Sequence, residues 1–288
     1  MNDDLPSATP SAGAVQLPKI DASRLTFFMV GCPRCGTTWT RAALREHPQV
    51  FVAGDRQLHY FDEQYANGPD WYLGHYAGVG AQHRAVGEVA TDYSLPHAIA
   101  RLAADFPHVK LVMGVRHPIE RAYSFYESRA PHATWPSFAA ALDDEPELLQ
   151  RGRYIEEIED IYRFFPRERL LIKFFDDLKA DEVTHIRTLF QYLDVDDTFR
   201  PGVIGNPLRA AMFPELRRQL KRMGLTPAVN LVNRSWMGDV IRRRLRRSSL
   251  PRKSPIEPAL RRKLVDYYRP LNARLAKLTG RDLAHWDH

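Results

Sequence analysis

The chain contains 288 residues, of which 44% are hydrophobic and 26% are charged, as in an ordinary water-soluble globular protein. No run reaches the roughly 18–20 apolar residues of a membrane-spanning helix, and two cysteines exclude a disulfide scaffold. The formal net charge of +6 favours an anionic ligand. It does not require nucleic acid, and we expect no nucleic-acid partner.

Residues 1–23 begin with acidic side chains, where a secretory signal carries basic ones, and they lack its apolar core. We expect them to form a disordered leader. The length that follows suits one α/β domain over residues 24–288. Without a signal or an anchor, the predicted location is the cytoplasm.

The first structural element runs from a strand through a glycine loop into a helix. Leu25 to Val30 are apolar and predict a buried strand, and Trp39 to Glu46 predict a helix. Between them, Gly31 and Gly36 are spaced as in a P-loop, with Thr37 in the position of the P-loop lysine. Such a loop points backbone N–H groups and a helix N-terminus at an anion. The alternative is that the glycines serve only the turn geometry.

Two cysteines, Cys32 and Cys35, lie in this loop as C-x-x-C. A thioredoxin-like redox pair also follows a strand and opens a helix, so that interpretation stays open. A zinc site needs two further ligands, and no second C-x-x-C or H-x₃-H provides them. We favour two small residues in a phosphate loop, and we predict no metal.

The next segments contain the titratable candidates for catalysis. Val50 to Ala53 predicts a short strand, and His59 follows it among aromatic residues. Ala85 to Val89 predicts a third strand, which contains Glu88 and leads into polar residues. The alternative for a histidine beside aromatic rings is a hydrogen-bonded core residue.

Lys110 to Val115 predicts another buried strand, and it leads into a helix with Pro118 in its first turn. Arg116 would then lie at the end of the strand, with Ser124 two turns into the helix. Arginine offers a fork of donors to phosphate oxygens, and serine adds a hydroxyl. For either residue alone, an ordinary surface position is the alternative.

Strands near 26–30, 86–89, 111–115 and 170–174 alternate with helices. The alternation predicts an α/β, P-loop-like three-layer fold with a central parallel sheet flanked by helices. Ligands bind such sheets at the carboxyl ends of the strands, where both phosphate elements fall.

The C-terminal part is predicted to be basic and helical. Between residues 209 and 263, arginines and lysines alternate with apolar residues at helical spacing. This segment is interpreted as a solvated helix covering the core, a lid over an anionic acceptor, or a peripheral contact with an anionic membrane. Residues 257–278 predict a final helix that packs on the core.

Two motifs resemble those of sulfotransferases that use 3′-phosphoadenosine-5′-phosphosulfate (PAPS). PRCGTTW, residues 33–39, is similar to their PKSGTTW loop, which holds the 5′-phosphosulfate. RHPIERAYSFY, residues 116–126, matches their R-x-P-x-x-R-x-x-S-x-Y element, which holds the 3′-phosphate. HYFD at 59–62, FFP at 164–166 and LTGRDLAHW at 278–286 resemble the heparan-sulfate-type and bacterial branch. The resemblance implies a soluble bacterial member.

The resemblance also implies a donor site. Arg34 replaces the loop lysine and would stabilise the leaving phosphate without donating a proton. Arg116 and Ser124 would hold the 3′-phosphate. The other implied donor contacts are Cys35, Gly36, Thr37, Thr38 and Trp39 of the loop, and Arg209 of the segment that closes over the nucleotide.

The catalytic base does not carry over from the resemblance. Heparan-sulfate-type enzymes use the glutamate of E-x-H-F-F-D, where this chain has Gln57, and their E-K-T-P lysine is Val89 here. His59 is retained, its reference pKa lies near 6.5, and cytosolic family members also use a histidine. We predict His59 as the base and Glu88 as the second candidate.

The predicted function is sulfuryl transfer from PAPS to a hydroxyl, less often an amine, of a small-molecule, glycan or lipid-linked acceptor. A P-loop phosphotransferase is disfavoured because the loop lysine is missing. A catalytically inactive nucleotide-binding module is favoured only by Gln57 and Val89. The sequence identifies neither the acceptor nor the oligomeric state.

Overall fold

The structure is a computed structural model that describes residues 20–130, 135–205 and 256–288. Its centre is a sheet of five parallel strands in the order β2-β3-β1-β4-β5. The strands are β1 Phe27–Gly31, β2 Val50–Val52, β3 Ala85–Val89, β4 Lys110–Val115 and β5 Leu170–Phe174. They are the strands that the sequence predicts, with ends shifted by at most two residues.

Helices connect the strands and cover both faces of the sheet. In the described part of the chain they are α1 Thr37–Glu46, α2 Gly68–Gly74, α3 Pro96–Asp105, α4 Pro118–Arg129, α5 Phe138–Asp144, α6 Glu147–Gln150, α7 Tyr154–Tyr162, α8 Phe175–Ala180, α9 Glu182–Tyr192 and α10 Pro258–Thr279. None of these helices is long and apolar enough to span a membrane.

Successive residues of β1 face opposite layers, because side chains alternate along a strand. Phe28 and Val30 pack in the apolar cluster that includes α3 and α7. Phe27 and Met29 pack in the cluster that includes α1 and α9. All four are at most 2% exposed. The sheet is therefore buried on both sides, which confirms the predicted three-layer α/β fold.

The final helix α10 packs against α4 and α7. Tyr268 is fully buried in this contact, and its hydroxyl donates a hydrogen bond of 2.7 Å to Leu149 O. Beyond the helix, Trp286 is 1% exposed and donates a hydrogen bond of 2.9 Å to Asp176 in α8. The helix lies on the core, as the sequence predicts. Residues 206–255, which include most of the basic segment, lie outside the described residues.

The site is positioned by the place of β1 in the sheet. β1 pairs with β3 on one side and with β4 on the other, so the carboxyl ends of these strands meet at one edge. Three connections leave this edge, at residues 32–36 after β1, 90–95 after β3 and 116–117 after β4. With residues 53–59 after β2, they form the candidate site.

Candidate active site

The loop after β1 leads into an uncapped helix N-terminus. Gly36 precedes α1 with a φ of +88° and offers no capping side chain. A Cβ at this position would lie 2.9 Å from Leu178 Cδ2 and 3.2 Å from Phe175 Cδ2, so only glycine fits without a shift of the neighbours. The first N–H groups of α1 therefore remain available to an anion.

The two sequence motifs meet at Arg34 and Ser124. Arg34 Nε donates a hydrogen bond of 3.1 Å to Ser124 Oγ in α4. Arg116, just before that helix, donates from Nη1 to the Arg34 carbonyl at 3.2 Å. The Arg116 guanidinium also lies 4.8 Å from the ring centre of Phe175. Both predicted phosphate elements therefore form one cluster.

This cluster has an excess of positive charge. Burial lowers the pKa of Arg34, and the charge of Arg116 lowers it further. The buried Nε of Arg116 has no hydrogen-bond partner among the described residues. An anion beside the two guanidinium groups would offset the charge repulsion that lowers the pKa of Arg34. These side chains therefore fit a phosphate or phosphosulfate group.

The other predicted donor residues lie in or beside the first turn of α1. Thr37 is partly exposed and Thr38 is exposed, whereas Cys35 is buried. Trp39 is 7% exposed and packs edge-on against His185, with ring centres 6.1 Å apart. Its indole Nε1 has no hydrogen-bond partner in the described ranges. Trp39 therefore joins α1 to α9 through the core.

Cys32 and Cys35 are both buried free thiols. Cys32 Sγ donates to the Arg151 carbonyl at 3.1 Å, and Cys35 Sγ lies 3.8 Å from Tyr154 Oη. Burial raises the pKa of Cys32 well above its usual value. Burial also acts to raise the pKa of Cys35, but the hydrogen bond with Cys32 and the charge of Arg121 bring it below its usual value. Over the described ranges, no group of three metal-ligating side chains includes either cysteine.

The segment after β2 turns sharply at His59, which has a φ of +55°. The turn that follows, Tyr60–Gln64, closes with a hydrogen bond of 2.7 Å from Gln64 N–H to His59 O. Just before it, Leu58 N–H donates to Glu88 at 2.6 Å, which ties the segment to β3. His59 is thus held in the left-handed region, a type of local strain that is frequent at functional sites.

The imidazole of His59 is 31% exposed and interacts with three carboxylates. Its Nδ1 lies 2.7 Å from Asp62 Oδ2 and 3.9 Å from Glu63 Oε1. Burial acts to lower the pKa of His59, but the hydrogen bond to Asp62 and the charges of Asp62, Glu63 and Asp92 raise it above its usual value. When Nδ1–H is donated to Asp62, Nε2 carries the lone pair and is the atom that accepts a proton.

Asp62 is the buried member of this group. Its side chain is 6% exposed, and its Oδ1 has no hydrogen-bond partner among the residues described. Ligand-type atoms of His59, Asp62 and Glu63 lie within 4.8 Å of one another, the one such trio found in the described chain. The 2.7 Å separation between His59 and Asp62 is that of a hydrogen bond. Asp62 therefore orients the imidazole.

Glu88, the second candidate base, is fully buried. Its carboxylate accepts hydrogen bonds from Leu58 N–H at 2.6 Å, Tyr93 Oη at 2.9 Å and Tyr72 Oη at 3.1 Å. Burial raises the pKa of Glu88 to about 7, although the three hydrogen bonds act in the opposite direction. A carboxylate enclosed in this way ties β3 to residues 57–63 and exposes no surface to an acceptor.

The sulfotransferase domain model matches residues 25–220, more than half of the chain. This chain belongs to the sulfotransferase domain family. The match starts at the β1 strand and includes both motifs, so the family predicted from them is confirmed.

Relatives agree with this family assignment. Membrane-associated sulfotransferase kil1 of Dictyostelium discoideum is 31% identical over 103 residues, which cover 35% of this chain and 22% of that protein. Heparan sulfate glucosamine 3-O-sulfotransferase 3B1 of Mus musculus is 25% identical over 286 residues, which cover 96% of this chain and 66% of that protein. The chain thus spans at most 66% of the length of these two relatives.

A solved structure shows the same fold. The crystal structure of a sulfotransferase from Alicyclobacillus acidocaldarius matches with a TM-score of 0.67 and 23% identity. The match covers 92% of this chain and 99% of that one. It supports the parallel sheet and the helices around it.

Asp92 and Arg151, which belong to neither sequence motif of this sulfotransferase domain, contact each other near the predicted base His59. Asp92 Oδ2 accepts from Gln57 Nε2 at 3.2 Å, and Asp92 Oδ1 lies 3.4 Å from Arg151 Nη2. Gln57 Oε1 accepts from Thr91 N–H at 2.8 Å. In the sequence, the one feature that could have indicated a role for Asp92 is its position just after a parallel strand, where ligand sites form. Arg151, between α6 and α7, gave no signal.

Arg209 is the one predicted donor residue that falls outside the described residues. The basic segment up to residue 255 also lies outside the described residues. The role of Arg209 at the 3′-phosphate and the role of the segment as a lid both remain predictions.

Proposed function

We propose that this protein transfers a sulfuryl group from PAPS to a hydroxyl, less often an amine, of a small-molecule or glycan acceptor. The observation that carries the proposal is the convergence of Arg34, Arg116 and Ser124 beside the uncapped N-terminus of α1. Two guanidinium groups, a hydroxyl and helix N–H groups suit a ligand with separate phosphate groups. The names of the relatives support the same chemistry.

Each element has a distinct task at the donor. The N–H groups of α1 and the hydroxyls of Thr37 and Thr38 would bind the 5′-phosphosulfate, and Arg34 would neutralise charge on the leaving phosphate. Arg116 and Ser124 would bind the 3′-phosphate. The bound donor supplies the sulfuryl group, while the protein supplies alignment and charge. We assign no task to a metal ion.

His59 is the proposed base. Its Nε2 would take the acceptor's proton as the new O–S bond forms and the S–O bond to the 5′-phosphate breaks, which releases 3′-phosphoadenosine-5′-phosphate (PAP). Asp62, 2.7 Å from Nδ1, would stabilise the resulting imidazolium. Glu88 is left out of the chemistry because it is fully buried, so its proposed role is structural.

The acceptor and the location are also proposals. A glycan acceptor is suggested by the mouse relative, whose name specifies heparan sulfate glucosamine. A lipid-linked acceptor and a peripheral contact with an anionic membrane depend on the basic segment, most of which is not described. A cytoplasmic location is likewise part of the proposal.

Binding and turnover measurements test the proposal. Purified protein is titrated calorimetrically with PAP, adenosine 5′-monophosphate (AMP) and ATP, and is then incubated with radiolabelled PAPS and a panel of hydroxyl and amine acceptors. We expect PAP to bind more tightly than AMP, and label to reach an acceptor. Arg116→Ala should weaken PAP binding by about 1.5–3 kcal/mol, the range of a charged hydrogen bond. Arg129→Ala, at the other end of α4 and paired with Glu145, is the matched control and should bind as wild type.

Two results would contradict the proposal. Preferential binding of ATP together with phosphate transfer would make the protein a phosphotransferase. PAP binding with no transfer to any member of the panel would leave a nucleotide-binding module without the proposed activity.

A further inference from the structure

Asp92 lies where the connections after β2 and β3 meet. Its Oδ2 accepts hydrogen bonds from Thr91 Oγ1 at 2.9 Å and from Gln57 Nε2 at 3.2 Å. Arg151 Nη2 lies 3.4 Å from Oδ1. The Asp92 side chain is 30% exposed, whereas Glu88 is fully buried. Solvent therefore reaches the Asp92 carboxylate, but it does not reach that of Glu88.

The connection that carries Asp92 packs on the end of β1, next to the phosphate loop. Ser94 N–H donates a hydrogen bond of 2.8 Å to the carbonyl of Val30 in β1. A Cβ on Gly31 would lie 2.9 Å from Ser94 Oγ. Arg151 joins the two loops, because its carbonyl accepts from Cys32 Sγ at 3.1 Å while its guanidinium faces Asp92. The position of Asp92 is thus fixed relative to the donor side of the site.

We propose that Asp92 is a positioning residue of the acceptor side: its carboxylate fixes Gln57 and supplies, beside His59, the negative charge that a glutamine at position 57 lacks. The inference rests on the proposed function, in which His59 is the base. Gln57 has both ends of its amide engaged, Nε2 with Asp92 and Oε1 with Thr91. Gln57 therefore serves only to hold this segment in place. The negative charge comes from Asp92, in the connection after β3.

The charged groups around His59 and Asp92 determine how removing the Asp92 charge should affect the imidazole. The charged groups that face His59 or Asp92 are Asp62, Glu63, Arg151 and Glu157. Asp92 adds to the charges of Asp62 and Glu63 that favour the protonated imidazole. Removing the Asp92 charge should make the His59 imidazole a weaker base. The Arg151–Glu157 ion pair at 3.1 Å remains and should keep the connection in place.

An NMR titration of His59 measures this effect without a known acceptor. The Cε1–H signal of the full-length protein, assigned by its loss in His59→Gln, is followed against pH in the wild type and in Asp92→Asn. We expect the midpoint to fall by roughly a few tenths of a pH unit in Asp92→Asn, because Asp92 makes the smallest of the three carboxylate contributions that raise it. Thr91→Val removes a hydroxyl that donates to Asp92 but keeps the charge, so its midpoint should match that of the wild type.

A charge exchange gives the sharper control. Gln57→Glu combined with Asp92→Asn keeps an amide–carboxylate pair but moves the charge to position 57. We expect the His59 midpoint to return towards the wild-type value. In the transfer assay at a pH above both midpoints, where the imidazole is neutral, Asp92→Asn should lower kcat by about twofold to threefold, because a base of lower pKa takes a proton less readily.

An unchanged His59 midpoint in an Asp92→Asn variant that melts like the wild type would overturn the inference. A lowered midpoint that the charge exchange leaves lowered would also overturn it, because the effect would then come from local structure and not from charge. Failure of the proposed function is distinguishable, since it would appear in the wild type as absent PAP binding or absent transfer.

Discussion

Arg34 Nε lies 3.1 Å from Ser124 Oγ, so one hydrogen bond joins the two phosphate elements across 90 positions of the chain. The hydroxyl gives a neutral partner to a guanidinium whose pKa is lowered by burial and by the charge of Arg116. Ser124 is 9% exposed and held by the α4 helix. The bond therefore fixes the loop arginine before a ligand arrives, which reduces the entropy lost on binding.

Ser124→Ala should weaken PAP binding more than AMP binding, because the hydroxyl is assigned to the 3′-phosphate. The expected loss is about 0.5–1.5 kcal/mol, as for a neutral hydrogen bond. Calorimetric titration with both nucleotides measures it. Ser128→Ala, one turn further along α4, removes a hydroxyl that donates to Phe125 O at 2.7 Å and should leave both affinities unchanged. Equal losses for PAP and AMP in Ser124→Ala would argue against the assignment.

His59→Ala should lower kcat by about 10²–10⁴-fold, the usual contribution of a general base. PAP affinity should hardly change, because the donor contacts come from the loops after β1 and β4. In the wild type, turnover should rise with pH through the raised pKa of His59, above its ordinary value of 6.5, since only the neutral imidazole accepts a proton. Transfer of label from PAPS across a pH series measures both effects.

Glu88→Gln is the control for this experiment. Because Glu88 is fully buried, the variant should lose less kcat than His59→Ala. An inactive but folded Glu88→Gln, beside a His59→Ala that turns over at the wild-type rate, would make Glu88 the base.

The double variant Cys32→Ala/Cys35→Ser should keep most PAP affinity and turnover. The two thiols contact a carbonyl and the Tyr154 hydroxyl, so their loss should cost about 0.5–1.5 kcal/mol of stability per hydrogen bond and little activity. Metal analysis of the wild type should find no stoichiometric zinc. Stoichiometric zinc that disappears together with activity in the double variant would reverse this interpretation.

Glu88 should make the stability of the protein depend on pH. Burial raises its pKa from 4.5 to about 7, so between these values the folded state holds a proton that the unfolded state releases. The contribution of Glu88 to the free energy of unfolding should therefore be greatest below pH 4.5 and be lost as pH rises through 7, by about 3 kcal/mol in total at roughly 1.4 kcal/mol per pH unit. Urea denaturation from pH 5 to pH 8 follows most of this range.

Glu88→Gln isolates that contribution. Because the glutamine amide does not titrate, the stability of the Glu88→Gln variant should fall less than that of the wild type over the same pH range. This holds whatever constant loss of stability the substitution causes. Parallel curves for the two proteins would show that the Glu88 carboxylate does not titrate in this range.

The strands and the phosphate elements could be predicted because their signals are local. An apolar run, Gly36 and a helix follow one another within 20 residues, and Pro118 marks the start of α4 in the same way. The contacts of Asp92, on the proposed acceptor side, could not be predicted, because they join distant positions. Gln57 and Asp92 are 35 residues apart, and Arg151 is 59 residues from Asp92.

Glu88 shows the same limit for a single residue. Its place in a strand beside polar residues made it a candidate base. Its actual surroundings depend on Tyr72 from α2 and Tyr93 from the next connection, whose hydroxyls enclose the carboxylate. No pattern in the strand itself indicates that these two side chains arrive there.

The central position of β1 divides the domain into two halves. On one side, β1 and β4 present Arg34, Arg116 and Ser124; on the other side, the connections after β2 and β3 present His59 and Asp92. Arg151 is a link across this boundary. Under the proposed function, this separation would let substitutions after β2 and β3 alter the choice of acceptor without touching the residues proposed to hold the nucleotide.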